Sequence, residues 1–344
     1  MKYEIPSVDD TPIWDIWLSL YKLPTLTAAL DSGLFESLAE SPATPNQLSE
    51  RCGLDQLGTS IVLQMLAAMG LLEQRRGEYQ LSDVSSLYLL KDSPYSWGGV
   101  LDIVCESNEQ HITLMEKLSG KSTEAGLPAE EEETPAEAWE SGQLDMEMAR
   151  RIARFMHSHS VSAAAGLAKS GLFDGVRRLL DIGGGSGCFS IALAQNYPDM
   201  HCTVMELPAM CEIGAGYASE GNVGEQVDFV SVDMFRDDWP TGYDALLFSN
   251  IFHDWDMDMN AGLAANAYEA LPPGGRICLH EMLLNDSGIG PETANAFSIL
   301  MLSRTKGRQF TFSELKELLE RAGFTGIDVN ASYGYYSVVR GYKK

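Results

Sequence analysis

The segment Leu180-Asp181-Ile182-Gly183-Gly184-Gly185-Ser186-Gly187 decides the reading of the fold. An apolar run that passes through an acidic residue into a cluster of glycines reads as a strand, a sharp turn and the opening of a helix. Glycine at such a turn lets the backbone bend tightly and lets a ligand approach with no Cβ in the way. A dinucleotide fingerprint requires G-x-G-x-x-G, and counted from Gly183 the sixth position is Cys188, which argues against a pyrophosphate ligand. Asp181 points the same way, because a carboxylate beside the loop repels phosphate and suits a cation.

Outward from this segment, apolar runs recur at 178–182, 202–206, 227–231, 245–249 and 276–280, separated by helical stretches. That alternation predicts an α/β fold, a parallel sheet with helices on both faces. Ile327-Asp328-Val329 and 335–339 read as two closing strands. Glu206 ends the second strand, 19 residues after Gly187, where a carboxylate can accept both hydroxyls of a ribose. Asp233-Met234-Phe235 follows the third; the Asp can accept from an exocyclic amine and the Met can lie on a ring face. Acidic strand ends without Lys or Arg suit an uncharged nucleoside with a cationic tail, a description that fits S-adenosylmethionine.

The first hundred residues read as short helices. Thr44-Pro45 caps one, Cys52-Gly53-Leu54-Asp55 makes a turn, Ser60 to Gly70 is strongly apolar, and Leu72 to Leu81 reads as a hairpin around Arg76-Gly77. This is the order of a winged helix. Residues 1–110 carry 6 Lys+Arg against 16 Asp+Glu, a net of −10, so a packing or dimerisation role is favoured over DNA contact. The whole chain of 344 residues has net charge −25, which argues against nucleic-acid or anionic-membrane partners. The segment 119–145, with its run Glu130 to Glu133, reads as a solvated loop, and Met146 to Ala168 as a long helix. The six cysteines show no CxxC spacing and read as reduced. With no signal-like or membrane-spanning apolar run, a cytoplasmic location is expected. Asp254-Asp256-Asp258 matches a calcium loop in spacing only and reads as helix N-terminal acid, so no metal is expected.

In order and spacing, LLDIGGGSG (179–187), VMELP (204–208), VDMF (232–235), FSNIFHDWD (248–256), LPPGGRICLHEMLL (271–284) and GRQFTFSELKELLERAGF (307–324) resemble the S-adenosylmethionine-dependent small-molecule O-methyltransferases of the caffeate and acetylserotonin type. The resemblance covers nearly the whole chain. It implies a Rossmann-like class I methyltransferase sheet behind an N-terminal, mainly α, winged-helix dimerisation domain. The expected division is 1–110 for dimerisation, 111–170 for the acidic loop and substrate-pocket helices, and 171–344 for cofactor binding. The cofactor set it implies is Ser160, Asp181, Gly183, Gly185, Glu206, Asp233, Met234, Phe235 and Ser249. His253 matches the family's general base, Glu281 the acid that orients it, and Gln309 stands where many members carry a second Glu. Ser249 likewise replaces a basic residue found in many members. Phe155, Met156, Phe252, Phe297 and Met301 are the expected acceptor-pocket residues, and their apolar character suggests a flat aromatic or polyketide-like substrate.

The expected reaction is methyl transfer from S-adenosylmethionine to a hydroxyl, with S-adenosylhomocysteine as the other product, in a homodimer. The alternatives are C- or N-methylation, a non-methylating reaction such as hydroxylation or decarboxylation on the same scaffold, and a cofactor-sensing regulator. His280, one residue before Glu281, should point to the opposite face of its strand and is read as structural.

Overall fold

The computed structural model describes residues 2–93, 96–98, 101, 108–120 and 144–344. The acidic run 130–133 and Cys105 lie outside the described residues. Along the chain the elements are α1 (Thr11–Leu18), α2 (Lys22–Asp31), α3 (Leu34–Glu40), α4 (Pro45–Cys52), α5 (Gln56–Ala68), β1 (Leu72–Arg75), β2 (Glu78–Leu81), α6 (Asp83–Tyr88) and α7 (Glu109–Leu118). There follow α8 (Met146–Ala168), β3 (Arg178–Ile182), α9 (Cys188–Asn196), β4 (His201–Glu206), α10 (Pro208–Glu220), β5 (Val227–Ser231) and β6 (Ala245–Ser249). A 3-10 turn (Phe252–Asp254), α11 (Met257–Ala270), β7 (Arg276–Met282), α12 (Glu292–Arg304), α13 (Phe312–Arg321), β8 (Thr325–Tyr333) and β9 (Tyr336–Tyr342) complete the order.

The chain forms two compact units. One comprises residues 12–132 and 284–309, the other residues 1–11, 133–283 and 310–344. In the first, the Thr44 side chain accepts from the Gln47 N–H and the Gln47 side chain accepts from the Thr44 N–H, a capping box that starts α4. Asp55 accepts from the Gly58 N–H, so α5 begins at Gln56, several residues before the apolar run suggests. Ile61, Val62, Leu63, Met65 and Leu66 of α5 are all buried, so this helix packs into the core of its unit. β1 and β2 pair antiparallel from Leu72↔Leu81 to Arg75↔Glu78. Arg76 and Gly77 take positive φ at the tip, the conformation a tight hairpin needs.

The second unit is built on a seven-stranded sheet ordered β5-β4-β3-β6-β7-β9-β8. β3 to β7 run parallel, whereas β9 pairs antiparallel with both β7 and β8. The central strands β3, β6 and β7 are buried on both faces. Leu180, Ile182, Leu246, Phe248, Ile277 and Leu279 join Leu263 and Ala267 of α11 and Leu315, Leu318 and Leu319 of α13 in one core. Each leucine, isoleucine and phenylalanine among them contributes about 1.5–3 kcal/mol on burial. Their alternates Asp181 and His280 face the other way and meet Ser190 and Phe189 of α9. Strand order reverses between β3 and β6, and at such a switch point open α/β sheets receive ligands beyond their carboxyl ends. Among the described residues no helix is long and apolar enough to cross a membrane.

Candidate active site

At the carboxyl end of β3 the chain turns through Gly183, Gly185 and Gly187, with φ of 65°, 57° and 73°. The φ of 65° at Gly183 favours glycine, and a Cβ there would lie 2.6 Å from Ile251 Cδ1, so a larger residue is strained and displaces that side chain. The loop forms one wall of an open cleft of about 610 Å³. Met205, Glu206 and Leu207 from the end of β4, Val232 to Phe235 after β5, and Asn250, Ile251, Asp254 and Trp255 after β6 form the rest, with Met156 of α8 and Met210 of α10. Carboxylates enter this lining, and neither Lys nor Arg does.

Each strand end places one acid. Glu206 is buried, and its Oε2 accepts from the Leu207 N–H at 2.6 Å, which fixes the carboxylate against the backbone. Asp233 accepts from the Phe235 N–H at 2.9 Å and pairs with Arg236 at 2.6 Å, so its own loop holds it in place. Asp181 does not line the cleft. It is wholly buried beneath the loop, its Oδ2 accepts from Ser190 Oγ at 2.7 Å, and burial pushes its pKa up to about 7. Trp255 is buried with its Nε1–H unpartnered among the described residues, and its ring meets Phe235 edge-on at 4.7 Å. A cation-tailed nucleoside fits this set: an acid positioned for ribose hydroxyls, a glycine wall open to close approach, apolar faces for a base, and an indole donor awaiting an acceptor.

The titratable centre lies on the 3-10 turn after β6. His253 is buried, with Nδ1 3.1 Å from Glu281 Oε2 and Nε2 3.7 Å from Asp254 Oδ1. The other Glu281 oxygen accepts from the N–H groups of Ile251 at 3.1 Å and Phe252 at 3.0 Å. From below, Asn260 of α11 donates to the carbonyls of Phe252 at 2.8 Å and Trp255 at 3.0 Å. Burial pushes the Asp254 pKa up to about 6, His253 pulling it down and Glu281 adding to the rise. His159 of α8 is pushed down to about 4 by burial and by His253, which keeps its imidazole neutral at pH 7.

The other residues singled out in the sequence are distributed differently. Ser160 is buried beside His159, 3.4 Å from its Nδ1. Ser249 Oγ lies 2.9 Å from His280 Nδ1. Phe252 points into the sheet core, edge-on to Phe248 at 5.1 Å, and Phe155 is half exposed on α8. Phe297, Met301 and Gln309 belong to the other unit, where they are buried; Phe297 packs against Trp14 at 5.8 Å and Gln309 donates its N–H to Ser298 Oγ at 3.1 Å. Asp254 is not a helix-capping acid. Asp256 caps α11, through the Met259 N–H at 2.8 Å, while Asp254 stands beside His253 on the cleft wall. Asn260 carries no signal in the sequence at all; its importance comes from the turn it reaches under.

Comparison with known proteins bears on this geometry. A family model described as the O-methyltransferase domain matches residues 127–325, and one described as the O-methyltransferase dimerisation domain matches residues 14–91. The chain is 34% identical to a 3-hydroxy-5-methyl-1-naphthoate 3-O-methyltransferase of Streptomyces sahachiroi, with 97% of this chain and 95% of that protein aligned. It is 30% identical to an L-tyrosine C(3)-methyltransferase of Streptomyces lavendulae, over 87% and 82% of the two chains. Among solved structures, an O-methyltransferase family 2 protein from Planctomyces limnophilus, in complex with apigenin, superposes with a TM-score of 0.87 at 26% identity and full coverage of both chains. A glycine-walled cleft free of basic residues, two family segments in the expected order and a full-length relative lead to one conclusion: this chain belongs to the S-adenosylmethionine-dependent O-methyltransferase family.

Proposed function

We propose that the enzyme methylates a hydroxyl of a small aromatic or polyketide-like metabolite, with His253 as general base. When bound, S-adenosylmethionine supplies an electrophilic methyl on its sulfonium and leaves as S-adenosylhomocysteine. His253 takes the acceptor's O–H proton at Nε2 as the oxygen becomes the nucleophile. Glu281 beside Nδ1 selects the tautomer whose Nε2 lone pair is available and stabilises the imidazolium that forms. Glu206 holds the ribose hydroxyls, Asp233 the adenine amine, and Met234 and Phe235 flank the base, with Gly183 and Gly185 shaping the cradle. Methyl transfer demands alignment of oxygen with the methyl, so the rigid turn carrying His253 contributes through positioning. The observation that carries this reading is the buried His253–Glu281 pair at 3.1 Å, next to Asp254 of the cleft wall.

Ser160 and Ser249 are assigned to outer contacts of the same cofactor site, and Asp181 to support beneath its loop. Phe155 and Met156 are proposed to shape the acceptor pocket on the side of the cofactor-binding unit. Residues 1–110, 111–170 and 171–344 are proposed as dimerisation, pocket and cofactor segments of a cytoplasmic homodimer.

Methylation of a ring carbon is the second reading, favoured by the tyrosine C(3)-methyltransferase among the relatives. A phenolate is nucleophilic at oxygen and at its ortho carbon, so one base serves either outcome. Incubation of the protein with S-adenosylmethionine and a panel of hydroxynaphthoates and phenols, followed by mass spectrometry and NMR of the products, tests both. A gain of one methyl at oxygen supports the proposal. A gain at carbon redirects it, and no methyl gain across the panel counts against the acceptor class.

A further inference from the structure

The glycine loop that walls the cleft has one side chain. Between Gly183 and Gly187 every residue but Ser186 is glycine, so Ser186 is the single handle by which side-chain contacts can hold the loop. Ser186 is 2% exposed and faces away from the cleft, with its Oγ 2.9 Å from Nδ1 of His157. His157 follows Met156, which lines the cleft, on α8. Its ring lies flat on Tyr217 of α10, with centroids 4.1 Å apart and planes 19° from parallel. Its second nitrogen, Nε2, is 3.0 Å from Oη of Tyr3. Tyr3 is anchored in turn: its N–H donates to Gln195 Oε1 on α9, the helix that the glycine loop opens, at 2.7 Å.

We propose that Tyr3, His157 and Ser186 form a latch that holds the glycine loop in its cofactor-receiving shape, with His157 as the positioning residue. Glycine-rich backbone has the largest conformational freedom of any chain, and ordering it on ligand binding costs affinity. A loop fixed beforehand from behind avoids that cost without touching the ligand. The imidazole suits the task because, when neutral, it donates from one nitrogen and accepts at the other. Either tautomer therefore satisfies both hydroxyls, and burial, opposed by Glu220, lowers the His157 pKa and favours the neutral ring. The same contacts join Met156's helix to the loop, so the two walls of the cleft are set by one side chain. The inference rests on the loop being the cofactor's cradle.

The test is calorimetric titration of the full-length protein and its variants with S-adenosylhomocysteine, alongside hydrogen exchange of the 183–187 amides. Tyr3→Phe and Ser186→Ala, each losing one neutral hydrogen bond, should each raise Kd about 3- to 10-fold and speed exchange in the loop. His157→Phe, which keeps the stacking and loses both bonds, should exceed either. His157→Asn places an amide near the Nδ1 position, keeps the Ser186 contact alone and should behave like Tyr3→Phe. His157→Gln reaches the Nε2 position instead and should behave like Ser186→Ala. With Tyr3→Phe the loss should appear in KM for S-adenosylmethionine while kcat at saturation is retained. Wild-type protein that binds S-adenosylhomocysteine no better than folded His157→Phe, with unchanged loop exchange, overturns the latch. Folded wild-type protein that binds no S-adenosylhomocysteine overturns the cradle assignment itself, and the latch with it.

Discussion

Glu281 holds His253 twice: one carboxylate oxygen lies 3.1 Å from the imidazole Nδ1, and the other accepts the N–H groups of Ile251 and Phe252 that carry the ring into place. Orientation of the side chain and fixation of its backbone thus depend on one residue at the end of β7. Glu281→Gln keeps the size and a hydrogen-bonding group but removes the charge that stabilises an imidazolium. It is expected to lower kcat about 10- to 100-fold, a part of what general-base catalysis contributes, with S-adenosylhomocysteine affinity within twofold by calorimetry. Equal loss of affinity would mean that the carboxylate serves the cofactor instead.

Asn260 closes the turn from the other side. Asn260→Asp replaces a double donor with a group that, when ionised, accepts only, leaving the carbonyls of Phe252 and Trp255 without it. Turnover should fall at least tenfold. In a double-mutant cycle with His253→Ala the two losses should not add, since a displaced base and an absent base fail alike. Additive losses would make Asn260 a general stabilising residue with no link to His253.

Glu206 is expected to determine affinity rather than rate. Glu206→Ala should raise the S-adenosylhomocysteine Kd by about tenfold or more, in keeping with loss of a charge-assisted hydrogen bond to the ribose. Thermal denaturation of the same variant without ligand separates this from misfolding. Unchanged affinity in a folded variant would remove Glu206 from the ribose assignment.

His280 links acidity to stability. Its ring is fully buried, Nδ1 is 2.9 Å from Ser249 Oγ and Nε2 is 2.9 Å from Ser332 Oγ, and the ring stacks on Tyr336 at 4.8 Å. Burial pushes its pKa down to about 3, against 6.5 for an ordinary histidine. Because the folded value lies below the unfolded one, unfolding takes up a proton, and stability falls as pH falls from about 6.5 towards 3. The slope from this one group approaches about 1.4 kcal/mol per pH unit in that window. His280→Asn is expected to be less stable at pH 7 and to show a shallower decline between pH 6 and 4 in urea titrations. An unchanged slope would place the acid sensitivity elsewhere.

Much of this arrangement was legible in the residues. The glycine loop and the apolar runs at 178–182, 227–231 and 245–249 match β3, β5 and β6; the signal is cleanest for β6, which is buried along its whole length. β8 and β9 are longer than their apolar runs suggest; β8 carries partly exposed residues held in the strand by backbone pairing and by the Asp328–Arg340 pair. The opposite orientations of His280 and Glu281 follow from strand alternation and are found as such. What stayed hidden depends on turns rather than periods. The 3-10 geometry after β6 sends Phe252 into the core and brings Asp254 beside His253, and no repeat in the sequence encodes that reversal. Asn260 and His157 were equally silent, because each acts across a gap in sequence that only the fold closes.

The most direct test of the central claim is steady-state turnover of His253→Ala at saturating S-adenosylmethionine, with S-adenosylhomocysteine affinity measured on the same preparation. The account predicts a loss of about 10²- to 10⁴-fold in kcat with cofactor affinity held within twofold. Full activity in that variant would contradict the assignment of His253 as the base.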